Sequence, residues 1–184
     1  IIVGVTHYGT LPIYLGFLRS FWNNCDQLPA EDQLVPILVD DGTPDKIAAR
    51  ETEAACKRWN FEYVRHEQNR GISAAWNTIL QHRADADMCI IFNNDIRFLT
   101  PGWLTRLKHF FLNNEQIGTV GLPLVDEPGF YDADPRWDNP PGRVGAATGC
   151  DFAVRPKDAL SIVNPDGSRG YWESLISFHE EVHL

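Results

Sequence analysis

Apolar residues follow two alternating patterns along this chain: short continuous runs, and longer stretches where they recur every three or four positions. The runs are IIVGVT (residues 1–6), LVPILV (34–39), FEYVR (61–65) and MCIIF (88–92), all of strand length and rich in β-branched or aromatic residues. Between them, Leu11, Tyr14, Leu15, Leu18 and Trp22 make one helical face, and after the break at Gly71 a second face carries Ile72, Ala75, Trp76 and Ile79. Thr43 is placed to cap a further helix, with Pro44 and Asp45 in its first turn, that runs to about Trp59. Pro101 opens a helix whose Trp103, Leu104, Leu107, Phe110 and Phe111 form an apolar stripe expected in the core. Pro36, lacking an N–H, argues that the second strand is an edge strand or carries a bulge.

Strands alternating with helices predict an α/β fold, a mostly parallel sheet flanked by helices. Strands one, two and four, joined by helical crossovers, should run parallel and end on the same edge. Further along, IGTVGLPL (117–124) reads as a strand, and the proline-rich, aperiodic segment 126–145 reads as a loop, whose Phe130, Tyr131 and Trp137 could stack on a ligand or pin the loop to the body. DFAVR is a strand, a short helix starts at Pro156, and the chain runs on to YWESLISFHEEVHL. The 184 residues are expected to form one domain, with a nucleotide-binding half at 1–100 and an acceptor-side half at 101–184.

Composition narrows the partners. A net charge of −9 with no basic stripe argues against binding a nucleic-acid backbone, yet leaves room for a nucleotide held through a cation. The four cysteines form no CxxC pair, which speaks against a zinc or redox motif and for a reduced, cytoplasmic setting. No apolar run approaches the roughly 20 residues of a membrane span.

Polar residues gather where the strands end. Thr6, His7 and Tyr8 follow the first, Asp40 and Asp41 the second, and Asn93, Asn94 and Asp95 the fourth. Asp95 either caps a turn or offers a hard oxygen ligand to Mg²⁺ or Mn²⁺, which would share its remaining positions with substrate phosphates and water. Asp40 is placed to accept a hydrogen bond from a nucleobase N–H, while Asp41-Gly42-Thr43 also suits a turn. In FHEEVHL, Glu180 or Glu181 could serve as a general base, or the segment is a solvated helix face; His183 is either a metal ligand or a surface histidine.

In order, these segments resemble the family 2 glycosyltransferases, inverting enzymes of the GT-A, Rossmann-like nucleotide-diphospho-sugar transferase fold. VDDGTPD resembles that family's V-D-D-G-S-x-D motif, and HEQNRGISAAWNTIL its N-x-G-x-x-x-A-x-N segment, matched at Asn69, Gly71, Ala75 and Asn77. IIFNNDIRFLTPGWL resembles the D-x-D region in its N-x-D form, GAATGCDFAVRPKDAL the acceptor-side stretch, and FHEEVHL the E-D-x-D-L motif. The resemblance implies that Thr6, Tyr8, Asp40, Asn69, Arg70 and Asn94 line the nucleotide site, that Asp95 is the metal ligand with Asn93 and His183 beside it, and that Glu181 is the base, preceded by the acid Glu180. Three departures stand out: Asn93 replaces a carboxylate, Glu181 is a methylene longer than the usual Asp, and His183 stands where a second Asp is common.

The resulting expectation is a metal-dependent inverting glycosyltransferase, using Mn²⁺ or Mg²⁺ to move a hexosyl or deoxyhexosyl group from a nucleotide-diphosphate donor, UDP-sugar foremost, to a hydroxyl on a glycan or other acceptor. The competing expectation is a noncatalytic sugar-nucleotide or glycan binding module of the same fold. A nucleotidyltransferase would be expected to carry a glycine-rich loop with a basic residue after strand one, where HYGTLP has one glycine and no Lys or Arg.

Overall fold

The computed structural model describes residues 1–9, 11–25, 28, 32–99, 101–121 and 151–171. Within them, strands β1 (Ile2–His7), β2 (Val35–Asp40), β3 (Glu62–Arg65), β4 (Cys89–Asn93), β5 (Thr119–Gly121) and β6 (Asp151–Val154) form one sheet in the order β3-β2-β1-β4-β6-β5. β1 pairs in parallel with β2 and β4, and β2 with β3, whereas β6 runs antiparallel to β4 and β5. Helices α1 (Leu11–Asn24), α2 (Lys46–Arg58), α3 (Ile72–His82), α4 (Trp103–Leu112) and α5 (Pro156–Ala159) complete the described chain.

Apolar side chains leave both faces of the central strands, so helices must cover both. On one face Val3, Val5, Leu38, Ile90 and Phe92 pack with Tyr14, Phe17, Leu18 and Phe21 of α1 and Leu104, Leu107 and Phe111 of α4. On the other, Ile2, Ile37, Val39, Cys89 and Ile91 meet Ala75, Trp76, Ile79 and Leu80 of α3. Gly4 on β1 permits that second contact: a Cβ there would sit 2.3 Å from Ile79 Cγ2.

Four local expectations are corrected. The cap of α2 is Asp45, whose carboxylate accepts from the N–H groups of Ile47 and Ala48, so the helix starts later than a Thr43 cap would have it. β2 lies inside the sheet rather than at its edge. Val35 N–H donates to Ile1 O, so the next residue, Pro36, turns its missing donor toward β3, whose pairing begins only at Ile37. The buried face of α1 centres on Phe17 and Phe21, leaving Leu11, Leu15 and Trp22 at its margin; Trp22 keeps its indole N–H on Trp59 O. Phe110 is exposed, outside the stripe that Leu104, Leu107 and Phe111 bury. Residues 126–145 lie outside the described residues. Among the described residues, no helix is long and apolar enough to cross a membrane.

Candidate active site at the end of the parallel strands

Strand register brings the polar residues together. Thr6 lies opposite Val39 and Asn93, His7 opposite Asp40, and Asp40 opposite Arg65, so four strand ends present side chains in one row. The Thr6 hydroxyl donates to Asn93 Oδ1 at 3.3 Å. Next to it the Asn94 side-chain amide donates to His7 Nδ1 at 2.8 Å, and His7 Nε2 lies 3.4 Å from the Thr52 hydroxyl of α2. Burial lowers the pKa of His7, and the Asp40 charge offsets only part of that, so the ring is neutral at pH 7. The loop after β4 is pinned at its far end: Phe98 packs on Phe17, Phe21, Phe92 and Trp103, and its N–H and C=O bond to Ser20 and Asn24 of α1. Asp95 thus projects from a short, tethered turn, and it is exposed.

Asp40 is fully buried, with its oxygens taken up within the chain. Oδ1 accepts from Thr43 N–H at 2.9 Å; Oδ2 accepts from the Tyr63 hydroxyl at 2.7 Å and from Arg65 Nε at 3.2 Å. Burial alone would raise its pKa, but the bonds from Thr43 and Tyr63 outweigh it and hold the carboxyl below its ordinary range. For Asp40 to make the direct base contact expected of it, one of these bonds would have to give way, since the side chain is fully buried.

Asp41 organises the neighbouring loop. Its Oδ1 lies 2.7 Å from His66 Nδ1 and accepts from Arg70 N–H at 2.9 Å, while Oδ2 accepts from Gly71 N–H at 2.9 Å. His66 Nε2 reaches the Thr78 hydroxyl of α3 at 2.9 Å. Gly42 lets these loops meet: with φ +75° it sits so close that a Cβ would be 2.3 Å from the Gln68 carbonyl carbon. Asn69 and Arg70 are both exposed beside it, and Asn69 Oδ1 also accepts from Gly71 N–H at 3.0 Å.

The described residues thus gather Thr6, Tyr8, Asn69, Arg70, Asn93, Asn94 and Asp95 around one edge, with Tyr8 53% exposed. Glu180, Glu181 and His183 lie outside the described residues. Among the described residues no three His, Cys, Asp or Glu side chains cluster as a metal cage. The donor set nevertheless fits a hard divalent cation that keeps most of its shell for phosphate and water: Asp95 is exposed, and the nearby Asn93 adds an amide oxygen.

Sequence reasoning placed His7 at the end of the first strand without giving it a role, and did not single out Tyr63, Arg65, His66 or the role of Asn77. The last donates to Tyr171 O at 2.7 Å and accepts from Tyr171 N–H at 2.8 Å, tying α3 to the segment after α5. His7 carried a signal as the last residue of β1, and Asn77 through its place in the family segment; the others depend on contacts between distant segments.

Residues 16–160 match the model of the family described as Glycosyl transferase family 2. No curated protein matches the chain. Among solved structures, a mannosyltransferase from Pyrobaculum calidifontis, in complex with GDP-Man and Mn²⁺, superposes with a TM-score of 0.65 at 20% identity, over 94% of this chain and 47% of its own. TarS from S. aureus, in complex with UDP, gives 0.69 at 14% identity over 99% and 53%. Glucosyl-3-phosphoglycerate synthase from Mycobacterium tuberculosis, with UDP, gives 0.58 at 17% identity over 88% and 58%. The chain spans about half the length of these enzymes, and at such identities the likeness carries the GT-A fold. With the family model matched over most of its length, the chain belongs to glycosyl transferase family 2.

Proposed function

We propose that this chain transfers a sugar, with inversion, from a nucleotide-diphosphate donor to an acceptor hydroxyl, UDP-sugar being the donor of first choice. The observation that carries the reading is the convergence of Thr6–Tyr8, Asn69–Arg70 and Asn93–Asp95 on one edge of the sheet, where open α/β sheets bind their ligands. Tyr8 offers an exposed ring, the exposed Asn69 and Arg70 would meet the nucleotide, and Asn94, bonded to His7, steadies the turn that presents Asp95.

Asp95 and Asn93, joined by His183 as the family resemblance implies, would hold Mn²⁺ or Mg²⁺, and that ion would neutralise the charge developing on the departing diphosphate. Glu181, or Glu180, takes the proton from the acceptor hydroxyl as its oxygen attacks the anomeric carbon; the bond from that carbon to the diphosphate breaks, and the configuration inverts. The acceptor is a glycan or another hydroxyl compound.

A panel of UDP-, dTDP- and GDP-sugars, assayed for turnover with Mn²⁺ and a mixed acceptor set, tests the reading. Turnover that falls at least about a hundredfold in Glu181→Gln or Glu180→Gln, the lower end of a general-base contribution, supports it. Donor binding with no turnover by the unaltered protein would instead identify a noncatalytic sugar-nucleotide binding module.

A further inference from the structure

We propose that Arg65 reads the nucleobase, selecting bases that carry a carbonyl at the edge far from the sugar, as in uracil, thymine or guanine, over bases that carry an amine there, as in cytosine or adenine. The proposal rests on the donor reading above and deepens it.

Arg65 ends β3, opposite Asp40 and on the edge of the sheet where the nucleotide is placed. Its guanidinium is oriented by two bonds: Nε donates to Asp40 Oδ2 at 3.2 Å, and Nη2 donates to Thr43 O at 2.6 Å. A guanidinium has five N–H donors in a rigid plane, so donors remain for a ligand. The side chain is 36% exposed, whereas Asp40 behind it is fully buried. Of the two, only Arg65 can touch a base without the site rearranging.

Thr43 joins Arg65 to the other half of the pocket. Its carbonyl accepts from Arg65, and its Oγ1 accepts from Gly9 N–H at 3.0 Å, which fixes the backbone directly after the exposed Tyr8. An aromatic ring able to cover a base face and a fixed guanidinium able to meet a base edge are therefore tied to one residue. A fork of N–H donors complements carbonyl acceptors and opposes an exocyclic amine, itself a donor, so the selectivity follows from donor and acceptor matching. Asp40 and Tyr63 act behind Arg65: the carboxylate holds Nε, and the Tyr63 hydroxyl occupies the same oxygen at 2.7 Å, so Asp40 is satisfied without a ligand.

The test is calorimetric titration of UDP, dTDP, GDP, CDP and ADP with Mn²⁺ into the unaltered chain, Arg65→Met and Arg65→Lys, with thermal melts of each protein alone. A well-made guanidinium contact discriminates by about 1–3 kcal/mol, so the best carbonyl-bearing nucleotide should bind at least about fivefold tighter than CDP and ADP. Arg65→Met should collapse that ratio to about twofold or less, chiefly by weakening the carbonyl-bearing ligand, and Arg65→Lys should recover it only in part. Asp40 keeps Thr43 and Tyr63 as donors in the Met variant; should that variant not fold, Arg65→Lys carries the comparison alone. An unchanged ratio in the folded variant, or an equal loss for every nucleotide, overturns the assignment to Arg65 while leaving the donor reading standing. Absence of nucleotide binding by the unaltered chain overturns both.

Discussion

Asp41 gives the sharpest test of how the site is held together. Its carboxylate takes three hydrogen bonds, from His66 and from the N–H groups of Arg70 and Gly71, and it is 6% exposed. A hydrogen bond to a charged group contributes about 1.5–3 kcal/mol, but the three do not simply add, because Arg70 and Gly71 lie near solvent and can turn to water when the carboxylate is gone. His66, 8% exposed, has less recourse to water. We therefore expect Asp41→Ala to cost about 3 kcal/mol, and Asp41→Asn about 2 kcal/mol, because an amide keeps one acceptor oxygen but sets an N–H against a donor. For a chain of this size the Ala variant should melt roughly 6–12 °C lower. Urea unfolding read by circular dichroism should show the midpoint falling at an unchanged slope. A cycle with His66→Ala should reveal coupling of about 1 kcal/mol or more between the two side chains. An Asp41→Ala stability within about 0.5 kcal/mol of the parent, or strict additivity with His66→Ala, would show that Asp41 does not hold these loops together.

Gly42→Ala combines a left-handed backbone with a clash against the Gln68 main chain, so a loss of about 3 kcal/mol or more is expected; a melting temperature within about 2 °C of the parent would contradict it. Asn77→Ala removes both bonds to the Tyr171 backbone, and the Tyr171 amide should exchange its hydrogen at least about tenfold faster, a change that an equally destabilising substitution on the α4 face of the sheet should not reproduce. For pH, burial depresses the His7 pKa below 6.5, so the unfolded chain binds more protons just below that value. The contribution is full above about pH 6.5 and is lost as the pH falls toward the folded pKa, and His7→Asn should flatten the rise in stability between pH 5 and 7. Asp40, held below 3.8, contributes above that pH and is lost only as the pH drops through its lower folded value; Asp40→Asn should keep the rise between pH 5 and 7 and steepen it, because it removes the charge that partly offsets the burial of His7.

The sheet was legible because its strands are buried on both faces and read as continuous apolar runs, and because crossover helices oblige the strands between them to run parallel. The same logic places Thr6, Asn93 and Asp95 at one edge from the sequence alone. Misreadings arose where a tertiary partner decided. Pro36 suits an interior strand because β3 begins one residue too late to need its N–H, and no pattern within β2 reveals that. The bonds that hold Asp40 come from Tyr63 and Arg65, more than twenty residues away, and Phe110 lies outside a buried helix face that is narrower than the apolar stripe. The roles of His66 and Asn77 do not show in the sequence for the same reason: His66 bonds to Asp41 and Thr78, and Asn77 to the Tyr171 backbone, pairings that spacing along the chain does not encode.

The exposed Asp95 carboxylate is proposed to make this edge of the sheet a cation-assisted nucleotide site. Titrating UDP and GDP into the chain with Mn²⁺, with EDTA, and with Asp95→Ala in Mn²⁺ measures it directly. At least one nucleotide should bind and should weaken tenfold or more, about 1.4 kcal/mol, both on removing the metal and on removing the carboxylate, with the melting temperature of Asp95→Ala unchanged because that side chain is exposed. Affinity that is equal in all three titrations would contradict it.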